Sequence, residues 1–204
     1  MKMFSSLLVV FSLGLSACGS HDAAAAVKVG DPAPAFSLNG ADGKTHALAD
    51  YKGKHVVLEW TNHECPYVKK HYGSGNMQGL QKEFTGKGVT WLSVITGAEG
   101  KQGVVGPAEA QKLTTSRGAA PSAVLFDPTG DTGRAYGAKT TPHMYVVNPE
   151  GRLIYAGGID SVATSDADDI AKATPYVKVA LNEALAGKAI TTPVTKPYGC
   201  SVKY

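Results

Sequence analysis

No Cys-x-x-Cys pair occurs in this chain of 204 residues: its three cysteines stand at 18, 65 and 200. A disulfide closed within one helical turn is therefore excluded. Arginine is scarce, at 117, 134 and 152 alone, and no run of basic residues occurs. With a formal charge of +3, that excludes the clustered positive surface that nucleic acid requires. Charged residues make up only 18% and hydrophobic ones 43%, the balance of a folded domain and not of a disordered chain. Internal repeats are absent, and so is any apolar stretch near the ~20 residues of a membrane-spanning helix.

The N-terminal stretch carries a short apolar run instead, residues 7–15 (LLVVFSLGL), after Lys2. That is the pattern of an export signal. It ends in Leu15-Ser16-Ala17-Cys18, which resembles a bacterial lipobox, with Cys18 the lipidated first residue of the mature chain. Cleavage among the small residues 23–26 is the alternative. The expected organisation is a lipoprotein-type signal at 1–17, a linker at 18–28, a folded domain at 29–188 and an extended tail at 189–204 carrying Cys200. Either cleavage places the protein outside the cytoplasm, in the periplasm, where thiols and disulfides interconvert. The only membrane contact expected is a lipid anchor at Cys18. Cys65 and Cys200 are left as the redox candidates.

Residues 30–54 read as two extended segments around the turn-rich Asn39-Gly40-Ala41-Asp42-Gly43. Residues 55–61 (HVVLEWT), 89–96 (VTWLSVIT) and 122–126 (SAVLF) read as buried strands. Residues 143–148 and 152–156 flank Pro149-Glu150-Gly151 as a hairpin. Between them, Val68, Tyr72, Met77, Leu80 and Phe84 keep helical spacing, broken by Gly73-Ser74-Gly75. Residues 108–116 and 176–185 are further helices. The alternation of strands and helices predicts an α/β fold, a mixed central sheet with parallel inner strands and helices on both faces.

Cys65 falls between a buried strand and a helix, with Pro66 at the first helical position, where its missing N–H costs nothing. Backbone N–H groups and the positive end of the helix stabilise an anion there, and such thiols ionise below the usual ~8.5. Lys69 and Lys70 are expected to add positive potential, and Glu64 to oppose it. Trp60 is expected to pack beneath as a core aromatic.

Three stretches resemble the redoxin, or alkyl hydroperoxide reductase/thiol-specific antioxidant, branch of the thioredoxin superfamily, which includes peroxiredoxin-like proteins. They are VGDPAPAFSLNGADGK at 29–44, WTNHECPY at 60–67 and AYGAKTTPHMYVVNPEGRLIYAGGID at 135–160. The resemblance implies a thioredoxin-like fold, Cys65 as the reactive thiol, and a cis Thr141–Pro142 bond with the Thr141 backbone aligning a substrate thiol. The chain departs from the family in two places. Val68 stands where thioredoxins have a second cysteine, and Asn62 where typical peroxiredoxins have threonine. None of the three arginines can be assigned the peroxiredoxin role.

From Gly187 the chain can reach about 43 Å to Cys200 at ~3.3 Å per residue, so Cys200 is within reach of Cys65 as a resolving thiol. An unpartnered tail thiol is the alternative. The expected activity is thiol-dependent oxidation or reduction by Cys65. Its substrate is a peroxide or a protein or small-molecule disulfide, and an external thiol is the reductant. His63 and His143 flank the site as candidate acids or bases. Two other readings stand beside this one: a copper- or zinc-binding module using Cys65 with His71 or His143, and a non-catalytic interaction domain. No cofactor is expected, and the glycines of 97–106 form no phosphate loop, since no Gly-Lys-Ser/Thr follows.

Overall fold

The structure, a computed structural model, describes residues 26–204. The signal at 1–17, Cys18 and most of the 18–28 linker lie outside the described residues. Strands β1 (Ser37–Gly40) and β2 (Thr45–Ala47) form the first hairpin, and β3 (Val56–Trp60) follows. Helices α1 (Pro66–Gly73) and α2 (Asn76–Gly86) lead to β4 (Thr90–Thr96). Then come α3 (Pro107–Ser116), β5 (Ala123–Asp127), α4 (Asp131–Tyr136), β6 (Thr140–Thr141) and the hairpin β7 (His143–Val147) and β8 (Leu153–Gly157). Helix α5 (Tyr176–Leu185) and the short β9 (Cys200–Ser201) complete it.

Seven strands make one sheet in the order β2-β1-β5-β4-β3-β7-β8. The inner pairs β3–β4 and β4–β5 are parallel, and the flanking pairs are antiparallel. This is the expected mixed sheet. The inner strand β3 (VVLEW) is buried throughout because both faces are covered. Alternation sends Val56, Leu58 and Trp60 to one face, where Tyr136 and Tyr145 pack on Trp60. Val57 joins the other face with Val68, Phe84 and Leu181 from α1, α2 and α5. Each such fully buried apolar side chain stabilises the fold by roughly 1.5–3 kcal/mol. Trp60 is 0% exposed, a core aromatic as expected.

The expected break between α1 and α2 falls at Gly75, whose φ of 78° is the left-handed conformation glycine adopts without a steric penalty. Helix α4 was not expected. Six residues are too few for a periodic pattern, and its start is fixed instead by Asp127, whose carboxylate accepts from the Gly133 N–H at 2.9 Å. The expected extended C-terminal tail is present, and it lies against the rest of the chain. Thr195 and Pro193 bond to Ala156 on the outer strand β8, β9 pairs antiparallel with β6, and Val202 donates to the Lys139 carbonyl. Thus residues 193–204 are docked along the body. No short-range pattern marks this, since every partner lies dozens of positions away.

Candidate active site

Cys65 is the N-cap of α1, with Pro66 at its first position. An Asn62 turn delivers it there: the Asn62 side-chain oxygen accepts from the Glu64 N–H at 2.9 Å, and its carbonyl accepts from the Cys65 N–H at 3.1 Å. The Asn62 amide also donates to the Gln102 carbonyl, so the glycine-rich loop after β4 braces the turn. The Cys65 thiol is 1% exposed and donates to the Thr141 carbonyl at 3.1 Å. The Thr141–Pro142 bond is cis.

Cys200 stands opposite Thr141 in the β6–β9 register, so three separate segments meet at one sulfur. Both thiols are free. Burial pushes the Cys65 thiol up, but hydrogen bonds from the Cys200 thiol, the Val68 and Cys200 backbone N–H groups and the Thr141 hydroxyl outweigh it. The result lies below the ordinary thiol value. Cys200 moves the other way, to about 11, through burial and then the neighbouring Cys65 sulfur. The site thus separates the two thiols into one that ionises readily and one that holds its proton.

Expected contributions from Lys69 and Lys70 to the Cys65 thiolate need correction. Lys69 is exposed, and Lys70 is buried with its ammonium turned to the Val162 carbonyl at 3.0 Å and to Asp160 at 4.0 Å. That ammonium belongs to a cluster that sequence reasoning missed. Asn76 donates to His71 Nδ1, so the ring hydrogen sits on Nε2, 3.0 Å from the Tyr198 oxygen. Tyr198 in turn donates to Asp160 at 2.5 Å. Burial holds His71 down to about 4, against the opposing pull of Asp160 and with the help of Lys70. The sole hint in the sequence is Tyr198 two positions before Cys200.

A second missed cluster lies beneath α1. Glu59, 0% exposed, accepts from Tyr72, Gln81, Trp91 and Ser93 at 2.8–3.2 Å. Burial raises its pKa despite those four donors. The sequence of β3 gives no sign of it, because the donors come from α1, α2 and β4, 13 to 34 positions away.

His63 stands two positions before Cys65 and His143 directly after Pro142, but each ring has a bond away from the Cys65 sulfur. His63 Nδ1 lies 3.3 Å from the Gly103 carbonyl. His143 Nδ1 accepts from the Lys139 N–H and lies 3.0 Å from the Tyr145 hydroxyl, and burial lowers its pKa to about 3. Among the described residues no group of three or more His, Cys, Asp or Glu is placed to hold a metal. Of the arginines, Arg117 comes nearest to the turn, donating to the His63 carbonyl at 3.3 Å. Arg134 and Arg152 bond to Thr129 and Gly30.

Over residues 29–156 the chain matches the AhpC/TSA family. Among curated proteins it is similar to the thiol-disulfide oxidoreductase ResA of Bacillus subtilis (strain 168), 31% identical over 132 residues and 63% of this chain. The match spans 66% of that relative, just under two thirds of its length. A ResA from Geobacillus thermodenitrificans (strain NG80-2) is 28% identical over 135 residues, 63% of this chain and 68% of the relative. Among solved structures, an uncharacterized conserved protein from Geobacillus kaustophilus shares the fold, with a TM-score of 0.74 at 24% identity over 87% of this chain and 92% of that one.

Proposed function

The chain belongs to the AhpC/TSA family, and within it we propose a thiol–disulfide oxidoreductase with Cys65 as the attacking thiolate and Cys200 as the resolving thiol. One observation carries the reading: a helix-capping thiol of lowered pKa lies against the only other described cysteine. The Cys65 thiolate attacks one sulfur of a substrate disulfide. A Cys65–substrate disulfide forms, the substrate S–S bond breaks, and the first substrate thiolate leaves. Cys200 then attacks Cys65 Sγ, its proton leaving with the second substrate thiolate. The substrate gains two electrons and the protein holds a Cys65–Cys200 disulfide, which an external thiol reductant reopens. Thr141 holds both partners, accepting from Cys65 and pairing with Cys200.

Disulfide exchange is favoured over peroxide reduction by Asn62, whose amide is committed to Glu64 and Gln102 at the position where peroxide would need a hydroxyl donor. It is favoured over a metal site by His71, whose two ring nitrogens are spent on Asn76 and Tyr198, and by His143, whose Nδ1 accepts from the Lys139 N–H. The ResA relatives carry the same activity in their names. Residues 29–188 form the body in this reading, residues 189–204 bring the resolving thiol, and export to the periplasm, with Cys18 as anchor, puts the pair where disulfides persist.

Thiol trapping with intact mass, before and after one equivalent of a small disulfide, tests it. Wild type loses both trappable thiols without retaining an adduct, Cys200→Ser retains the adduct on Cys65, and Cys65→Ser does not react. Turnover that survives Cys65→Ser would overturn the reading, and Cys65-dependent loss of peroxide without disulfide exchange would replace it with a peroxidase.

A further inference from the structure

Strand β6 is two residues long, and its described hydrogen-bonded neighbour is β9. An exposed strand edge is where an extended peptide adds itself by main-chain hydrogen bonds. Here the edge next to Cys65 is filled by the protein's own C-terminus. Thr140 and Thr141 face Ser201 and Cys200, and the Thr141 hydroxyl donates to the Cys200 carbonyl at 3.4 Å. The fit leaves no room at Gly199, where a Cβ would overlap the Thr141 carbonyl and where φ is 129°. Tyr198 and Cys200 both pack against the core cluster that contains Cys65, itself 1% exposed.

A latch holds this strap down. Tyr198 plugs into the Lys70–His71–Asp160 cluster, donating to Asp160, with its ring 5.8 Å from that of Tyr67 and 5.7 Å from the Lys70 ammonium. The second Asp160 oxygen is buried with no hydrogen-bond partner. Tyr198 thus supplies the one side-chain hydroxyl that the buried carboxylate accepts from, and withdrawing the tail would leave it with less compensation. Downstream, Tyr204 donates to the Ala138 carbonyl at 2.6 Å and stacks on Arg134.

We propose that residues 198–202 are a specificity strap, occupying the edge on which a protein substrate would lie and restricting Cys65 to small-molecule disulfides. This inference rests on the oxidoreductase reading and narrows its substrate class. Tyr198 and Gly199 act in it as positioning residues. A compact disulfide reaches the Cys65 sulfur past the strap, and forms the mixed disulfide with release of one thiolate. A disulfide in a folded protein must bring its flanking backbone, and the pairing surface for that backbone is taken.

The test uses the full chain in a Cys200→Ser background, so that reaction stops at the Cys65 mixed disulfide and the strap keeps its backbone. Rates are measured with 5,5′-dithiobis(2-nitrobenzoate) as the small disulfide and insulin as the protein disulfide, each normalised to N-acetylcysteine. The normalised insulin rate is expected to fall below the small-disulfide rate by about tenfold or more, and Tyr198→Phe or Gly199→Ala to recover about tenfold of that ratio, the population shift that follows from losing one buried hydrogen bond or one close fit. The ratio is insensitive to general loss of stability, which slows or speeds both reactions alike. Gly199→Ala keeps the test decisive if Tyr198→Phe does not fold. Equal normalised rates in the parent, or a ratio unmoved in a folded variant, would overturn the strap. Failure of the parent to react with the small disulfide at all would overturn the oxidoreductase reading itself.

Discussion

The Cys65 thiol donates to the carbonyl of Thr141, 76 positions further along the chain, at 3.1 Å. Thr141 is also the residue that Cys200 pairs with, so a single carbonyl-bearing strand brings both thiols together. The electrostatics of the pair follow from that meeting. The sulfur that sits at the helix start and receives the donors ionises first, and the other keeps its proton to higher pH.

Removal of the Cys200 donor should therefore move Cys65. In Cys200→Ala the Cys65 thiol loses the hydrogen bond that does most to lower it, and its pKa rises. Thiolate absorbance against pH checks this: wild type shows two steps, the later near 11, and the variant shows one step, later than the first step of wild type. A first step that stays in place would mean the helix start alone sets the thiolate.

Glu59 tests the polar cluster below the site. Glu59→Leu leaves the Tyr72, Gln81, Trp91 and Ser93 donors buried without their acceptor. A loss of about 3 kcal/mol or more is expected in urea unfolding. A variant as stable as wild type would show that these donors find other partners.

The pH dependence of stability reads out His143. Its folded pKa is depressed, from 6.5 to about 3, so its contribution is fully present above 6.5 and is lost as pH falls toward 3. His143→Gln is destabilised at neutral pH, but lacks that acid loss. Its deficit against wild type should shrink by up to about 1.4 kcal/mol per pH unit within that window. Parallel stability–pH curves would show that the ring is not held neutral.

Asn62 tests how the turn is braced. Asn62→Ala removes the acceptor for the Glu64 N–H and the donor to Gln102. A cost of about 1–2 kcal/mol is expected, with faster hydrogen exchange confined to residues 62–65 and the 97–106 loop. Exchange unchanged in both segments would mean that Asn62 does not join them.

Local pattern accounts for the elements that came out where expected. The apolar run at 55–61, the Pro66 helix start, the Gly73-Ser74-Gly75 break and the 176–185 helix each depend on neighbours within a turn or a strand repeat. Cys65 was legible for the same reason, as a thiol between a buried strand and a proline-started helix. Helix α4 was not, because its cap comes from Asp127 in the preceding strand and its length carries no period. Lys70 was misread because helical spacing places a residue near a helix start without saying which way four methylenes point.

The sequence by itself determined most of the strands and helices, the place of Cys65 at a helix start and the mixed α/β class of fold, since these follow from backbone preference and from hydrophobic periodicity over a few residues. Only the tertiary structure decided that the tail is docked, that Cys200 lies at Thr141 and that Tyr198 enters the Lys70–His71–Asp160 cluster. Those contacts join residues some 40 to 130 positions apart, and the free energy that selects them comes from burial and hydrogen bonds formed once the chain has folded.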